Sequence, residues 1–416
     1  MKKRLHKRSF LWISLMLMLI GNATARENDL HFFHNPLTKG LSVDEVAMKI
    51  LYDSPGFKAD IYSFKSLQAD LKTSSNLPDP ELGGEYLVMP SDVDNRWTAE
   101  ISWGLEWPGI YRAKSNAAKS LMNSAEKVIY AQRVDKLSEI HNLLLDYIQC
   151  EQKYFLLDNL DKNNQTIYEL SKEKSLNNEM TVLDLNKVKI EYSNIKGAKA
   201  ALLAEESEII GALSEIYGEN CSGILKNMVC VFPDVYIPTD IDMAQITENS
   251  PSFQSALAEA ETARQNKTVS KMEALPSLSV GYKHQFEDGM HFNGATLGIS
   301  IPIFSSRGKQ KAAEAQILEA DYKVESNAAT IETEIKSLIN RLNLLKQQID
   351  EISPLIENFD YNSILVKAYE EGLISLLDYI TERNYFTNAA VEFVTLRHAA
   401  AKTQNGLKKY LQTYNF

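Results

Sequence analysis

Leu77–Lys114 reads LPDPELGGEYLVMPSDVDNRWTAEISWGLEWPGIYRAK, and Ala274–Lys311 reads ALPSLSVGYKHQFEDGMHFNGATLGISIPIFSSRGKQK. Each stretch is two alternating runs joined by a short polar turn, bracketed by prolines and followed by a long polar-apolar helical pattern. In the first, Trp97, Ala99, Ile101, Trp103, Leu105 and Trp107 point one way, and Thr98, Glu100, Ser102, Gly104 and Glu106 the other. In the second, Leu278, Val280, Tyr282 and Phe286 alternate with Ser279, Gly281, Lys283, Gln285 and Glu287, and Leu297, Ile299, Ile301 and Ile303 continue the pattern. Period two over about ten residues is the length a tilted strand needs to cross the hydrocarbon of a bilayer.

A pair of hairpins in a soluble sandwich would alternate in the same way. The aromatic residues favour the membrane. Trp97, Trp103 and Trp107 share one apolar face and, with Tyr282 and Phe286, form the expected interfacial girdle. Four strands cannot close a barrel, and lipid tolerates no open sheet edge, so several chains must share one. The other face carries Glu85, Glu100, Glu106, Lys283 and Glu287, which makes the expected lumen wet and mildly acidic.

The chain opens with Lys2, Lys3, Arg4, Lys7 and Arg8, an apolar run from Phe10 to Ile20, and Ala23-Thr24-Ala25. Residues 1–25 therefore read as a secretory signal peptide, and 26–41 as a tail without periodicity. Loss of the five basic residues takes the formal charge from −11 to −16. An acidic mature chain argues against nucleic-acid binding. Cys221 and Cys230, in a non-helical stretch of an exported protein, are expected to form a disulfide; Cys150, on a predicted helix, reads as a buried apolar residue.

The rest of the chain is a duplication. Ser54-Pro55-x-Phe57 recurs as Ser250-Pro251-x-Phe253, and Leu82 and Tyr86 recur as Leu278 and Tyr282, all 196 residues on. Past the hairpin Pro108 matches Pro302, Leu183-Asp184 matches Leu377-Asp378, and Leu213 matches Leu407, all 194 on. The first repeat spans 42–218, with a helix opened by the capping box Ser42–Glu45, a strand pair at 82–107 and a helical hairpin at 111–218. A linker covers 219–240. The second repeat spans 241–412, with its strand pair at 278–303 and its hairpin at 305–411.

Ile331, Ile335, Leu338, Leu342, Leu345, Ile349, Ile352 and Ile356 step by four and three, a seam that specifies a left-handed supercoil. Val134, Leu137, Leu144, Ile148 and Phe155 keep a looser seam in the first repeat, where His141 reads as a partnered packing residue. Pro354 should bend or locally break its helix. About 60 helical residues at 1.5 Å each extend about 90 Å. The short turns at 90–95 and 287–291 then face outward and the hairpins reach inward. Their tips combine a breaker, apolar side chains and an N-cap: Asn178, Glu179, Met180, Thr181, Val182 and Leu183 in one, Gly372, Leu373, Ile374 and Ser375 in the other. Each offers a place where a partner's helix tip could dock.

Nothing enzymatic converges. A glycine-rich phosphate loop, a His-Glu-x-x-His helix and a nucleophile elbow are all missing from the sequence, so no catalytic residue, cofactor or metal is assigned. His31-x-x-His34 lies in the tail without further ligands.

Three features together carry a resemblance: the duplicated strand pairs, Pro-Ile-Phe-Ser-Ser-Arg-Gly-Lys at 302–309, and Leu41-Ser-Val-Asp-Glu with Ser54-Pro55. With the Gly372…Ser375-Leu-Leu-Asp378 tip, they make the whole mature chain resemble the outer-membrane factor (TolC) family of efflux ducts. Glu106-Trp107-Pro108-Gly109 resembles its heavy-metal-export branch, and the lipidated cysteine of many relatives is missing. The resemblance implies a mainly α fold with a membrane β-barrel portion: a homotrimer with a shared 12-stranded barrel in outer-membrane lipid and a periplasmic α-barrel. It implies a periplasmic adaptor and an inner-membrane pump as partners, and passive conduction to the exterior. It also implies an aperture ring at Asp378. The family's second aspartate is Thr381 here, with Glu382 adjacent and Glu371 just before the tip. A structural or adhesive trimeric stalk is the alternative, for which longer outward loops would be expected.

Overall fold

A computed structural model describes residues 40–73, 76–90, 94–238, 241–304, 308–357, 361–411, 414 and 416. The expected signal sequence at 1–25, His31 and His34, residues 91–93 of the first strand-to-strand turn and Ser305–Arg307 of the Pro-Ile-Phe-Ser-Ser-Arg-Gly-Lys stretch lie outside the described residues. The order of elements runs twice through helix, strand pair and helical hairpin. The first pass has α1 (Val43–Asp53), α2 (Pro55–Thr73), β1 (Glu81–Leu87), β2 (Arg96–Leu105), α3 (Pro108–Leu176) and α4 (Val182–Tyr217). A four-residue helix, α5 (Ser222–Leu225), interrupts a stretch expected to be irregular. The second pass has α6 (Met243–Asn249), α7 (Pro251–Met272), β3 (Ser277–Glu287), β4 (Met290–Ser300), α8 (Lys309–Glu357), α9 (Tyr361–Glu370) and α10 (Leu376–Leu411).

Local chemistry explains the boundaries. Ser42 and Glu45 form the expected reciprocal capping box, and Ser54 and Ser250 cap the helices that open at Pro55 and Pro251. Pro108 begins α3 three residues earlier than the sequence pattern placed the helical hairpin, because proline is well suited to a first helical turn. Pro354 lies inside α8, which ends three residues later at Glu357. Gly218 and Gly372 adopt φ values of 83° and 72°, left-handed conformations that end a helix without a Cβ clash.

The four strands form one antiparallel sheet in the order β1-β2-β3-β4. Register places Leu82, Ile101, Tyr282 and Ala295 in one row, and Trp103, Val280 and Leu297 in the next. Leu105, Leu278 and Ile299 make a third row. This face is open: Leu82 and Leu297 are each 84% exposed, and Ile299, Ile301 and Ile303 more than 60%. So wide an exposed apolar surface marks a contact with lipid or with another chain. The opposite face brings Glu100 beside Lys283 across the β2–β3 pair, with Thr296 donating to Glu100 at 3.3 Å. Arg96 and Glu287 form an ion pair at 2.7 Å. Glu106 falls just past the end of β2 and pairs with Lys114 at 2.7 Å. Small residues crowd this side: a Cβ on Gly281 would come within 2.5 Å of Thr296 Oγ1 and 2.8 Å of the Ile101 carbonyl.

The chain divides into two compact units. One comprises Lys39–Glu151, Ala201–Gln348 and Thr395–Phe416, and holds the sheet; the other comprises Gln152–Ala200 and Ile349–Val394, and holds both tips. In the first, the seam residues Val134, Leu137, Leu144, Ile148, Ile331, Ile335 and Leu342 are buried. Phe155, expected on the same seam, is 39% exposed. His141 is buried, bonded through Nδ1 to the Leu137 carbonyl and through Nε2 to Asp44, which ties α1 to α3.

The expected disulfide is not formed. Cys221 is a buried free thiol at hydrogen-bond distance from Ser214 Oγ and the Ile210 carbonyl, and Cys230 donates to the Met228 carbonyl. Their sulfurs engage the polar groups of their own surroundings, so nine residues of separation misled. Cys150 is buried, as expected.

Replacing Gly281 with Val should disrupt the β2–β3–β4 strip, because the backbone of Ile101 cannot yield. Overpacking of this kind costs about 1–3 kcal/mol. The folded sheet should show it as a lower thermal midpoint by circular dichroism.

Candidate functional site

The tip unit is built by helix caps at matching places in the two repeats. Thr181 Oγ1 donates to Asp184 at 2.8 Å and accepts from the Asp184 amide at 3.1 Å. Ser375 repeats the arrangement with Asp378, at 2.6 and 3.2 Å, and its own amide also donates to Asp378. The hydroxyl satisfies a free amide of the first turn, and the carboxylate sits near the positive end of the helix.

The two caps differ in charge. Lys187 lies 3.3 Å from Asp184, whereas Asp378 has no basic partner among the described residues. Hydrogen bonds from the Ser375 side chain and backbone hold the Asp378 carboxyl below the usual carboxylate range. Asp378 is therefore an exposed, uncompensated anion as well as a cap. Thr381 turns back on its own helix, donating to the Leu377 carbonyl, and Glu382 accepts from Tyr361 at 2.7 Å. Glu371 is exposed at the end of the turn. Among the described residues, Asp378 and Glu371 are the sequence-predicted aperture residues whose carboxylates meet no neighbouring side chain other than a cap.

Beneath the caps is a small core of Val188, Leu365, Tyr379 and Ile380, packed by Ile167, Tyr168, Ile374, Leu376 and Leu377. Val182, Leu183 and Leu373 stay exposed, at 68–74%. Asn178 takes a φ of 59°, which asparagine tolerates, and Glu179 closes the turn by donating to the Lys174 carbonyl. Met180 is half-buried. Ile374 thus belongs to the tip core, and the apolar side chains left exposed are Val182, Leu183 and Leu373.

Two features of this unit escape sequence reading. Lys199 bridges Asp158 at 2.7 Å and Asp161 at 2.8 Å, tying α4 to α3, and these hydrogen bonds push its pKa up. Arg383, only 2% exposed, donates to Asn164 and lies over the Tyr379 ring. Burial lowers its pKa. Spacing along one helix carries no signal for either partner.

No helix among the described residues is long and apolar enough to cross a membrane.

Residues 243–412 match the family model described as outer membrane efflux protein. The chain carries an outer membrane efflux domain. That is the family the sequence resembles, and it places the protein in the outer membrane and outside the enzymes. Among solved structures, the Campylobacter jejuni CmeC outer membrane channel is similar with a TM-score of 0.76 at 19% identity, covering 88% of this chain and 85% of that one. The Vibrio cholerae outer membrane protein VceC has a TM-score of 0.67 at 16% identity, covering 89% and 95%. The open-state Neisseria gonorrhoeae MtrE outer membrane channel has a TM-score of 0.69 at 12% identity, covering 89% and 88%. No curated protein sequence matches. The efflux fold, with its helices and its four-stranded β portion, therefore extends over most of the chain, beyond the part that the family model covers.

The cap has a defined pH window. Because the folded Asp378 carboxyl is held below its unfolded value of about 3.9, its stabilising effect is present above that pH and lost as pH falls through the folded value. Amide exchange in the first turn of α10, taken relative to the intrinsic rate at each pH, should therefore be slow at pH 5 and rise in stronger acid. Ser375→Ala should accelerate it roughly five- to tenfold at pH 5.

Proposed function

We propose that this protein is the outer membrane channel of a tripartite efflux system, conducting substrate passively from a periplasmic adaptor and inner-membrane pump to the exterior. The observation that carries the proposal is the sheet: four strands, an apolar face open to its surroundings, and two outer strands, β1 and β4, with no further partner among the described residues. Three copies supply twelve strands, and β4 of one copy pairs with β1 of the next until the ring closes. The two repeats, 42–218 and 241–412, each contribute one strand pair and one helical hairpin to the conduit. The polar face, with Glu85, Glu100, Lys283 and Glu287, lines the lumen.

In this reading Asp378 of each protomer faces the common axis at the periplasmic end. Three like charges close together repel and attract divalent cations, so a narrow aperture would be cation-sensitive. The exposed Val182, Leu183 and Leu373, beside Asn178–Thr181 and Gly372–Ser375, receive the adaptor's helix tips. CmeC, VceC and MtrE, described as outer membrane proteins or channels, support the assignment by fold.

Protein extracted in mild detergent should have three times the mass of one chain by light scattering; a monomer would refute the shared barrel. In planar bilayers, Asp378→Asn should relieve divalent-cation block of conductance by about tenfold. Asparagine keeps an oxygen for the Ser375 cap and removes only the charge, so unchanged block would remove Asp378 from the aperture.

A further inference from the structure

The apolar face of the sheet carries a polar island at its outward end that conduction does not use. His284 on β3 lies opposite Asn293 on β4, and Phe286 in the next row lies opposite His291. Nδ1 of His284 is 2.5 Å from Asn293 Oδ1, an oxygen that only accepts, so Nδ1 carries the proton. The Tyr282 hydroxyl donates to the same oxygen at 2.9 Å. In the neutral ring this leaves Nε2 of His284 as a bare lone pair, and Nδ1 of His291 lies 3.3 Å from it.

We propose that His284 Nε2 and His291 Nδ1 form a two-imidazole site for a divalent transition-metal ion such as Cu²⁺ or Zn²⁺, with water completing the shell. Two nitrogens each about 2.0–2.1 Å from a tetrahedral ion stand about 3.3–3.4 Å apart, which is the separation already present. Binding requires His291 to carry its proton on Nε2 in place of Nδ1, and both rings to turn until their lone pairs converge on the ion. Nothing else need move. Asn293 and Tyr282 supply the outer hydrogen bonds that hold a ligating histidine in one tautomer. Phe286, its ring 5.0 Å from that of His291, and Trp97, 5.0 Å from His284, wall the pair on two sides.

The donor set selects the ion. Neutral imidazoles favour copper, nickel and zinc, whereas calcium and magnesium need clustered oxygens. Among the described residues no three histidine, cysteine or carboxylate side chains gather to hold a metal, so this site has two protein ligands and the open coordination that follows. Its position matters too. His291 lies on β4, the outer strand, so a bound ion staples β3 to β4 beside their turn, at the strand that the shared-barrel reading pairs with a neighbour.

Trp97 is a built-in reporter, because Cu²⁺ quenches an indole at this distance. Titrating the full-length protein in detergent with Cu²⁺ should quench its fluorescence saturably in the micromolar range, reversed by EDTA. His284→Gln or His291→Gln should raise the midpoint about a hundredfold, and Asn293→Leu about tenfold, the scale on which an orienting partner acts. A spin-resonance spectrum of the wild-type protein with one equivalent of Cu²⁺ should show hyperfine coupling to two nitrogens, which tests the site without any substitution. An unchanged midpoint when His284→Gln and His291→Gln are combined, or a spectrum with oxygen ligands alone, overturns the proposal. Neither outcome bears on whether three chains share a barrel.

Discussion

A strand edge in hydrocarbon is the constraint on which the rest depends. Each unpaired amide or carbonyl there costs several kcal/mol, because lipid offers no hydrogen-bond partner. This chain has a sheet with an apolar outer face, and the sheet ends at β1 on one side and β4 on the other. Such an element is unstable in a bilayer as a monomer and stable once its edges meet those of other copies. In the proposed shared barrel, oligomerisation is part of folding, in the way that it is for obligate assemblies. On the opposite face Gly281 and Gly298 leave room that a Cβ would fill, beside Thr296 Oγ1 and the Ile101 carbonyl at one and Ser279 Oγ at the other.

The tips show how one motif acquires two uses. A Thr or Ser with a carboxylate three residues on is first a helix cap, and both repeats keep it for that reason. In the first repeat Lys187 neutralises the carboxylate; in the second nothing does among the described residues. The duplication therefore preserved a structural device while charge diverged on one copy. The buried Arg383 and the Lys199 bridge anchor the helices beneath those caps, so the ends that carry charge stand on fixed supports.

The outward rim raises a separate point. Polar side chains on a lipid-facing surface concentrate where the bilayer turns from hydrocarbon to headgroups, and aromatic rings collect at the same level. Trp97, Tyr86, Phe286, His284 and His291 lie together at the end of the sheet nearest the β1–β2 and β3–β4 turns. The sequence pattern counted Trp97 and Phe286 in the girdle and passed over His284, because a single polar residue in an apolar series reads as an interruption. Only its pairing with Asn293 and the approach of His291 turn the interruption into a site.

What the sequence by itself determined is local or periodic: alternation in the strands, the heptad seam, the caps at Ser42, Thr181 and Ser375, the breaks at Gly218 and Gly372, and the duplication that links the halves. Those features follow from φ/ψ preference and from which side of an element is apolar, and both are written within a few residues. Tertiary structure alone decided the rest. That β2 lies against β3, about 180 residues away, and that Trp97 faces Phe286 in that register depend on hydrogen bonds between distant strands. So do the hydrogen bonds that Cys221 and Cys230 make in place of a disulfide, the bond from Arg383 to Asn164, and the meeting of His284 with His291. Spacing along a chain measures neither direction nor distance across a fold, and these contacts depend on both.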